Sequence, residues 1–129
     1  MKSKKNYYFL LLLIFLVQLR FFPHPPNFTP VIASGIVMGF FLKNFYISSV
    51  CIIFSVFFGD IFFGFHSTMF FVYLALLVPV FLGVITKNFN YLSILLLGFS
   101  SSLSFYFITN IGVWITSDMY SHNFSGLLE

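Results

Sequence analysis

The sequence has very little charge. Asp, Glu, Lys and Arg make up 7% of its 129 residues, against 60% hydrophobic residues, whereas a soluble domain carries about 25% charged residues. A water-soluble fold of this size would leave much of its apolar surface exposed, and large exposed apolar patches aggregate. The composition therefore predicts that the lipid bilayer is the solvent of this chain.

Features of several other protein classes are also missing from the sequence. The single cysteine, Cys51, excludes an internal disulfide. The basic residues are scattered between apolar runs and form no patch, which argues against a nucleic-acid partner. The sequence has no nucleophile motif, Gly-rich phosphate loop or metal-ligand spacing. We therefore expect no enzyme activity, no cofactor and no metal.

Apolar runs of helical length divide the chain into five segments. A helix needs about 20 residues to cross the hydrocarbon core of a bilayer. The predicted spans are residues 7–22, 31–46, 45–63, 67–86 and 91–115. The sequence thus predicts one all-α transmembrane domain over residues 1–129, a polytopic bundle of about five helices.

The lysines predict the orientation of this bundle. If the N-terminus is cytoplasmic and the spans alternate, every lysine lies on the cytoplasmic side and Arg20 alone lies outside. Cytoplasmic loops of membrane proteins are enriched in Lys and Arg. We therefore expect a multi-pass protein of the bacterial inner membrane with a cytoplasmic N-terminus.

A proline-rich loop is the first of three polar groups expected on the outer side. Four prolines between Arg20 and Pro30 exclude a helix there. The polar side chains of this loop are His24, Asn27 and Thr29. The loop is interpreted either as a rigid connector or as a binding loop.

Asp60 is the second polar feature, because no other acid occurs before residue 117. An acid within a membrane span is costly and usually faces a partner or a cavity. Either a structural pair with Arg20 or His66, or a contact with a ligand, would account for it.

A row of polar residues along the fifth span is the third feature. Ser102, Tyr106, Asn110 and Trp114 are each four residues apart and therefore form one slanted stripe on a helix. We expect this stripe to face the bundle interior. Trp114 has an alternative role as an anchor at the membrane interface.

Gly35 and Gly39 form a Gly-x-x-x-Gly spacing in the second span. Such spacing lets two helices approach closely in a membrane. Packing within the chain and docking of a partner subunit are both compatible with it.

Two motifs carry a resemblance to known proteins. The run Pro-His-Pro-Pro-Asn-Phe-Thr-Pro at residues 23–30, with Asn-Ile-Gly-Val-Trp at residues 110–114, resembles an uncharacterised family of small bacterial membrane proteins. That family is similar to the substrate-binding S components of energy-coupling-factor transporters. The resemblance implies capture of a vitamin-like nutrient at the outer face, and partner membrane and ATPase subunits that drive uptake.

The resemblance also implies a six-helix fold, from which this sequence departs in two ways. The first span contains no alanine, whereas S components commonly carry an Ala-x-x-x-Ala docking motif there. The sequence reaches Glu129 where a further helix would follow in that fold. We therefore expect an S-component-like bundle that lacks the last helix.

Two functional hypotheses follow from these features. The first is a small-solute binding or uptake subunit with an outward-facing pocket. Its predicted binding residues are His24, Asn27, Thr29, Asp60, Tyr106, Asn110 and Trp114. The second is a structural or assembly membrane protein without a small-molecule ligand, in which Gly35 and Gly39 form the interaction face.

Overall fold

The computed structural model describes residues 7, 8, 10, 11, 14–16, 18–22 and 30–128, and these residues are helical apart from short links. The helices are α1 Val31–Leu42, α2 Phe45–Phe63, α3 Met69–Ile85, α4 Tyr91–Thr116 and the short α5 Phe124–Leu128. The described positions between residues 7 and 18 are helical as well and lead into a 3-10 turn at Leu19–Phe21. The all-α prediction is confirmed for the part of the chain that the structure describes.

Asparagine caps explain where α2 and α4 begin. The Asn44 side-chain oxygen accepts a hydrogen bond from the backbone N–H of Ile47 at 3.0 Å. Asn90 and Ser93 form a capping box, in which each side chain accepts from the other residue's backbone N–H at 2.9 Å. A cap of this kind stabilises a helix start by about 1 kcal/mol.

Lys43 separates α1 from α2. Its backbone is left-handed, with φ of +51°, and its N–H closes the last turn of α1 on the Gly39 carbonyl at 3.0 Å. A left-handed residue commonly ends a helix. Helix α1 therefore ends at Leu42, four residues before the predicted span 31–46 does, because Asn44 already caps the next helix.

The Lys43 side chain also closes the end of α3. Its ammonium donates hydrogen bonds to the Val84 carbonyl at 3.3 Å and to the Thr86 carbonyl. The same Nζ lies 4.3 Å from the centroid of the Phe40 ring. Lys43 thus ties together the ends of α1 and α3, whose last carbonyls have no partner within the helix.

Helices α1 and α3 run parallel and touch through their backbones at two glycines. A Cβ atom on Gly39 would lie 2.2 Å from the Val80 carbonyl oxygen, and one on Gly83 would lie 2.1 Å from the Ile36 carbonyl oxygen. Gly35 packs against α3 in the same contact. The Gly35-x-x-x-Gly39 spacing therefore serves packing within the chain, and its interpretation as a docking face for a partner is wrong.

The other elements pack around this central α1–α3 pair. Helix α2 contacts both α1 and α3, and α4 contacts α3 along its length and α1 more sparsely. Near the N-terminus, the Gln18 amide donates to the Ser55 carbonyl of α2 at 2.9 Å. The Phe21 ring stacks on Phe63 with centroids 5.0 Å apart. The buried apolar cluster comprises Val31, Met38, Ile52, Val56, Leu76 and Val80.

Short links join consecutive helices, which therefore run antiparallel, and the links lie at the two ends of the bundle. The Lys43 end carries the links 43–44 and 86–90, and the Pro30 end carries the start of α1, the link 64–68 and the segment 117–123. The 12 residues of α1 are about 18 Å long and the 19 residues of α2 about 28 Å. Because both helices meet at the Lys43 end, the shorter α1 covers about 10 Å less of the bundle than α2 does.

The outer surface of the bundle is largely apolar. Phe54 of α2 is 65% exposed and Phe99 of α4 is 70% exposed, among many other large apolar side chains. Helices α2 and α4 are long and apolar enough to cross a membrane, by length and composition. The apolar helices α1 and α3 fall below that length.

Candidate functional site

A groove opens between α1 and α4 on the side of the Pro30 end. Its main cavity holds about 660 Å³, within the range of about 300–1,000 Å³ that small-molecule sites occupy. The apolar floor comes from Val56, Val72 and Leu76, and the edge at the start of α1 comes from Val31 and Ile32.

The α4 wall of the groove carries its hydrogen-bonding groups. Ser102, Tyr106, Thr109 and Asn110 all line the cavity. The Thr109 hydroxyl donates to the Phe105 carbonyl at 2.8 Å, and the Asn110 amide donates to the Tyr106 carbonyl at 2.7 Å. Within the described residues, the Asn110 side-chain oxygen and the Tyr106 hydroxyl have no hydrogen-bond partner. These two groups, and the Ser102 hydroxyl lower on the same wall, are available to a ligand.

The sequence predicts that the polar stripe faces the bundle interior, but in the structure it does not face a packed interior. The Tyr106 side chain is 62% exposed, and Ser102 and Asn110 are exposed as well. The reason is that α4 packs on α3 through another face, where Gly112 meets the Phe71 ring and Ser101 is fully buried. Three of the four stripe residues therefore border an open groove.

Trp114, the fourth residue of the stripe, does not line the groove. Its indole N–H donates to the Ser121 carbonyl at 3.0 Å. Its ring meets the edge of His122, with centroids 5.8 Å apart. Trp114 therefore holds the segment after α4 against the helix.

Asp60 is buried behind the groove and does not line it. Its side chain is 4% exposed and accepts a hydrogen bond from the Tyr73 hydroxyl at 2.8 Å. Asp60 lies one helical turn beyond Val56 of the groove floor, and Tyr73 follows the lining residue Val72 directly. Tyr73 was missed in the sequence, since the α2–α3 turn that brings it to Asp60 leaves no local signal.

A family model matches residues 1–129. The chain belongs to a family of unknown function, DUF6580. The prediction of an uncharacterised family is thereby confirmed. No curated protein and no solved structure matches this DUF6580 chain.

The proline-rich loop of the DUF6580 chain, with His24, Asn27 and Thr29, lies outside the described residues, as does the Arg20 side chain. The described chain resumes at Pro30, next to the lining residues Val31 and Ile32.

Grouped metal ligands do not occur in the described part of the DUF6580 chain, where no three His, Cys, Asp or Glu side chains lie together. The groove itself is lined by uncharged residues in this part of the chain. Its chemistry is therefore that of hydrogen bonding and apolar contact.

Proposed function

We propose that this DUF6580 protein is a membrane-embedded subunit that binds a small solute for uptake, with a role similar to that of the S components of energy-coupling-factor transporters. The groove between α1 and α4 carries the proposal. It combines an apolar floor with the free polar groups of Tyr106 and Asn110. Small-molecule sites are typically apolar clefts with a few polar groups that fix the orientation of the ligand.

A lipid solvent is the first part of this proposal. Only 11% of the most apolar 18-residue window of α4 is buried inside the bundle. A core helix of a water-soluble protein would be buried on most sides, and in water such a surface would aggregate. We propose a multi-pass bundle in the bacterial inner membrane, in which α2 and α4 cross the bilayer and the shorter helices pack against them.

The arrangement of charges supports the orientation that was expected from the sequence. Lys43 and Lys87 lie at the Lys43 end, and His66, Asp118 and His122 lie at the Pro30 end. With the lysines in the cytoplasm, the groove and the proline-rich loop belong to the outer half. A solute could then be captured from outside, and partner membrane and ATPase subunits would drive its uptake, because this chain has no phosphate-binding motif.

Native mass spectrometry of the protein, purified in mild detergent, tests the proposal. We expect a co-purified small molecule that is lost from Asn110→Leu and weakened in Tyr106→Phe, because each substitution removes a free polar group of the groove. Asn88→Leu and Tyr91→Phe make the same changes near the Lys43 end and should keep the molecule.

A ligand-free protein with a stable membrane partner would support the assembly hypothesis instead. That hypothesis has lost its expected contact surface, because Gly35 and Gly39 are buried against α3. Loss of the ligand from the control variants together with the groove variants would show that the substitutions act through folding.

A further inference from the structure

A second, smaller cavity extends the groove toward the Lys43 end. It holds about 330 Å³ between α1 and α4. Ile32 and Ser102 line both cavities, so that the two adjoin along one groove between α1 and α4. From Ile94 to Asn110 the α4 wall rises by about 24 Å at 1.5 Å per residue, which exceeds the roughly 15 Å of one bilayer leaflet.

Polarity changes along this groove. The free polar groups of Tyr106 and Asn110 lie at the Pro30 end. The smaller cavity is lined by apolar residues such as Val37, Phe89 and Ile94, with the Ser102 hydroxyl at its junction with the larger one. A ligand that fills the whole groove must therefore be polar at one end and apolar along the rest.

The size of the groove indicates a single chain as its occupant. A helix of about 10 Å diameter and 24 Å length would occupy about 1,900 Å³. The cavities hold about 330 and 660 Å³. A helix would therefore lie mostly outside the groove, whereas one hydrocarbon chain fits within it.

We propose that the ligand of this groove is a single-chain amphiphile with an uncharged, hydroxyl- or amide-bearing head. The head binds Asn110 and Tyr106, and the tail lies along Gly98 toward Phe89. An uncharged head suits the lining residues that the structure describes, which are themselves uncharged. The inference rests on the proposed function and specifies its substrate class.

Gly98 provides a substitution that blocks the tail without disturbing the helix bundle. A Cβ atom on Gly98 would meet no other atom within 4 Å, and Gly98 lines the smaller cavity. Leucine also favours the helix over glycine. Gly98→Leu is therefore expected to fold and to fill the tail path, and Ser100→Leu, on the exposed side of α4, is its matched control.

The experiment measures binding of monoolein and of the short-chain monooctanoin to the purified full chain by native mass spectrometry. We expect monoolein to bind at least about tenfold more weakly to Gly98→Leu, which corresponds to about 1.4 kcal/mol. Monooctanoin should bind Gly98→Leu and the unaltered chain alike, because its tail does not reach Gly98. Ser100→Leu should bind both probes normally.

Four results would overturn the inference. Equal binding of monoolein to Gly98→Leu and Ser100→Leu would place the tail outside the groove. Equal binding of monoolein and a two-chain phospholipid would indicate ordinary lipid contact. A water-soluble co-purified molecule that depends on Asn110 but not on Gly98 would reject the amphiphile while leaving the proposed function intact, whereas absence of any ligand would reject both.

Discussion

The hydrogen bond from Tyr73 to Asp60 joins α2 to α3 inside the bundle. A buried carboxyl group loses its hydration, and a donor at 2.8 Å offsets part of that loss. Asp60 therefore contributes to the structure of the groove floor from behind, through a contact with Tyr73 that the sequence does not indicate. Its contact with a ligand stays a prediction.

Replacing Tyr73 by phenylalanine should lower the free energy of unfolding by about 1–2 kcal/mol, because the Asp60 oxygen loses its hydroxyl donor. Thermal unfolding in detergent measures this change. Tyr46→Phe is the control, since the Tyr46 side chain is 80% exposed. Equal melting temperatures for the two variants would show that the Tyr73 hydroxyl contributes nothing to stability.

The polar site residues could be predicted only in part from the sequence. The spacing of Tyr106 and Asn110 correctly places both on one side of α4, since helical geometry is local. It does not predict the direction in which that side faces, because serines, threonines and large apolar residues occur around the whole of α4 and no single apolar stripe marks the inward face. Trp114 continues the same spacing, yet the segment after α4 turns back, and its Ser121 carbonyl accepts the hydrogen bond of the Trp114 indole.

At the scale of the elements, the glycine contact between α1 and α3 predicts how alanine substitutions change the stability of the protein. Gly39→Ala and Gly83→Ala should each destabilise the protein by about 1–3 kcal/mol, because the new methyl group would overlap a backbone carbonyl of the facing helix. Unfolding in detergent, followed by circular dichroism, measures the loss.

Gly98→Ala is the matched control for this pair. It places the same methyl group in open space, and it should stabilise α4 by up to about 1 kcal/mol through helix propensity. If all three alanine variants had the same stability, the close backbone contact between α1 and α3 would be refuted.

Helix positions were largely predictable, whereas helix pairing was not. The bounds of α2 follow from an apolar run that starts after the capping Asn44, and those of α4 from one that starts after Asn90. These signals are local in the chain. The pairing of Gly39 with Gly83 is not local, and neither sequence window indicates which helix the other one meets.

At the scale of the whole molecule, one substitution distinguishes lipid from water around α4. Leu103 lies at the centre of α4 and is 43% exposed. In lipid, Leu103→Lys should reduce membrane insertion by about 2.5–3.5 kcal/mol. In water, an exposed lysine would change stability by less than about 0.5 kcal/mol.

A reporter of helix insertion, such as glycosylation of an engineered site, measures this effect. Tyr91→Lys at the start of α4 is the control, because a lysine there reaches the interface. Equal insertion of the two lysine variants would argue against α4 as a span.

The orientation of the bundle can be tested with two new cysteines in a Cys51→Ala background. We expect a membrane-impermeant thiol reagent to label Ser67→Cys in intact cells, because the link 64–68 lies at the Pro30 end. Asn88→Cys, at the Lys43 end, should react only after the cells are permeabilised. Labelling of both positions from the same side would contradict the antiparallel membrane bundle.

The contact of Lys43 with the end of α3 also affects the order in which the chain folds during synthesis. A ribosome makes the chain from the N-terminus, so α1 and α2 are synthesised before the Val84 and Thr86 carbonyls exist. At that stage Gly39 also cannot pack against α3, because the part of α3 around Gly83 has not yet been synthesised. Closure of this end is therefore a late step that waits for synthesis of α3, and a nascent chain stalled before residue 84 would hold the Lys43 ammonium unbound to its final acceptors.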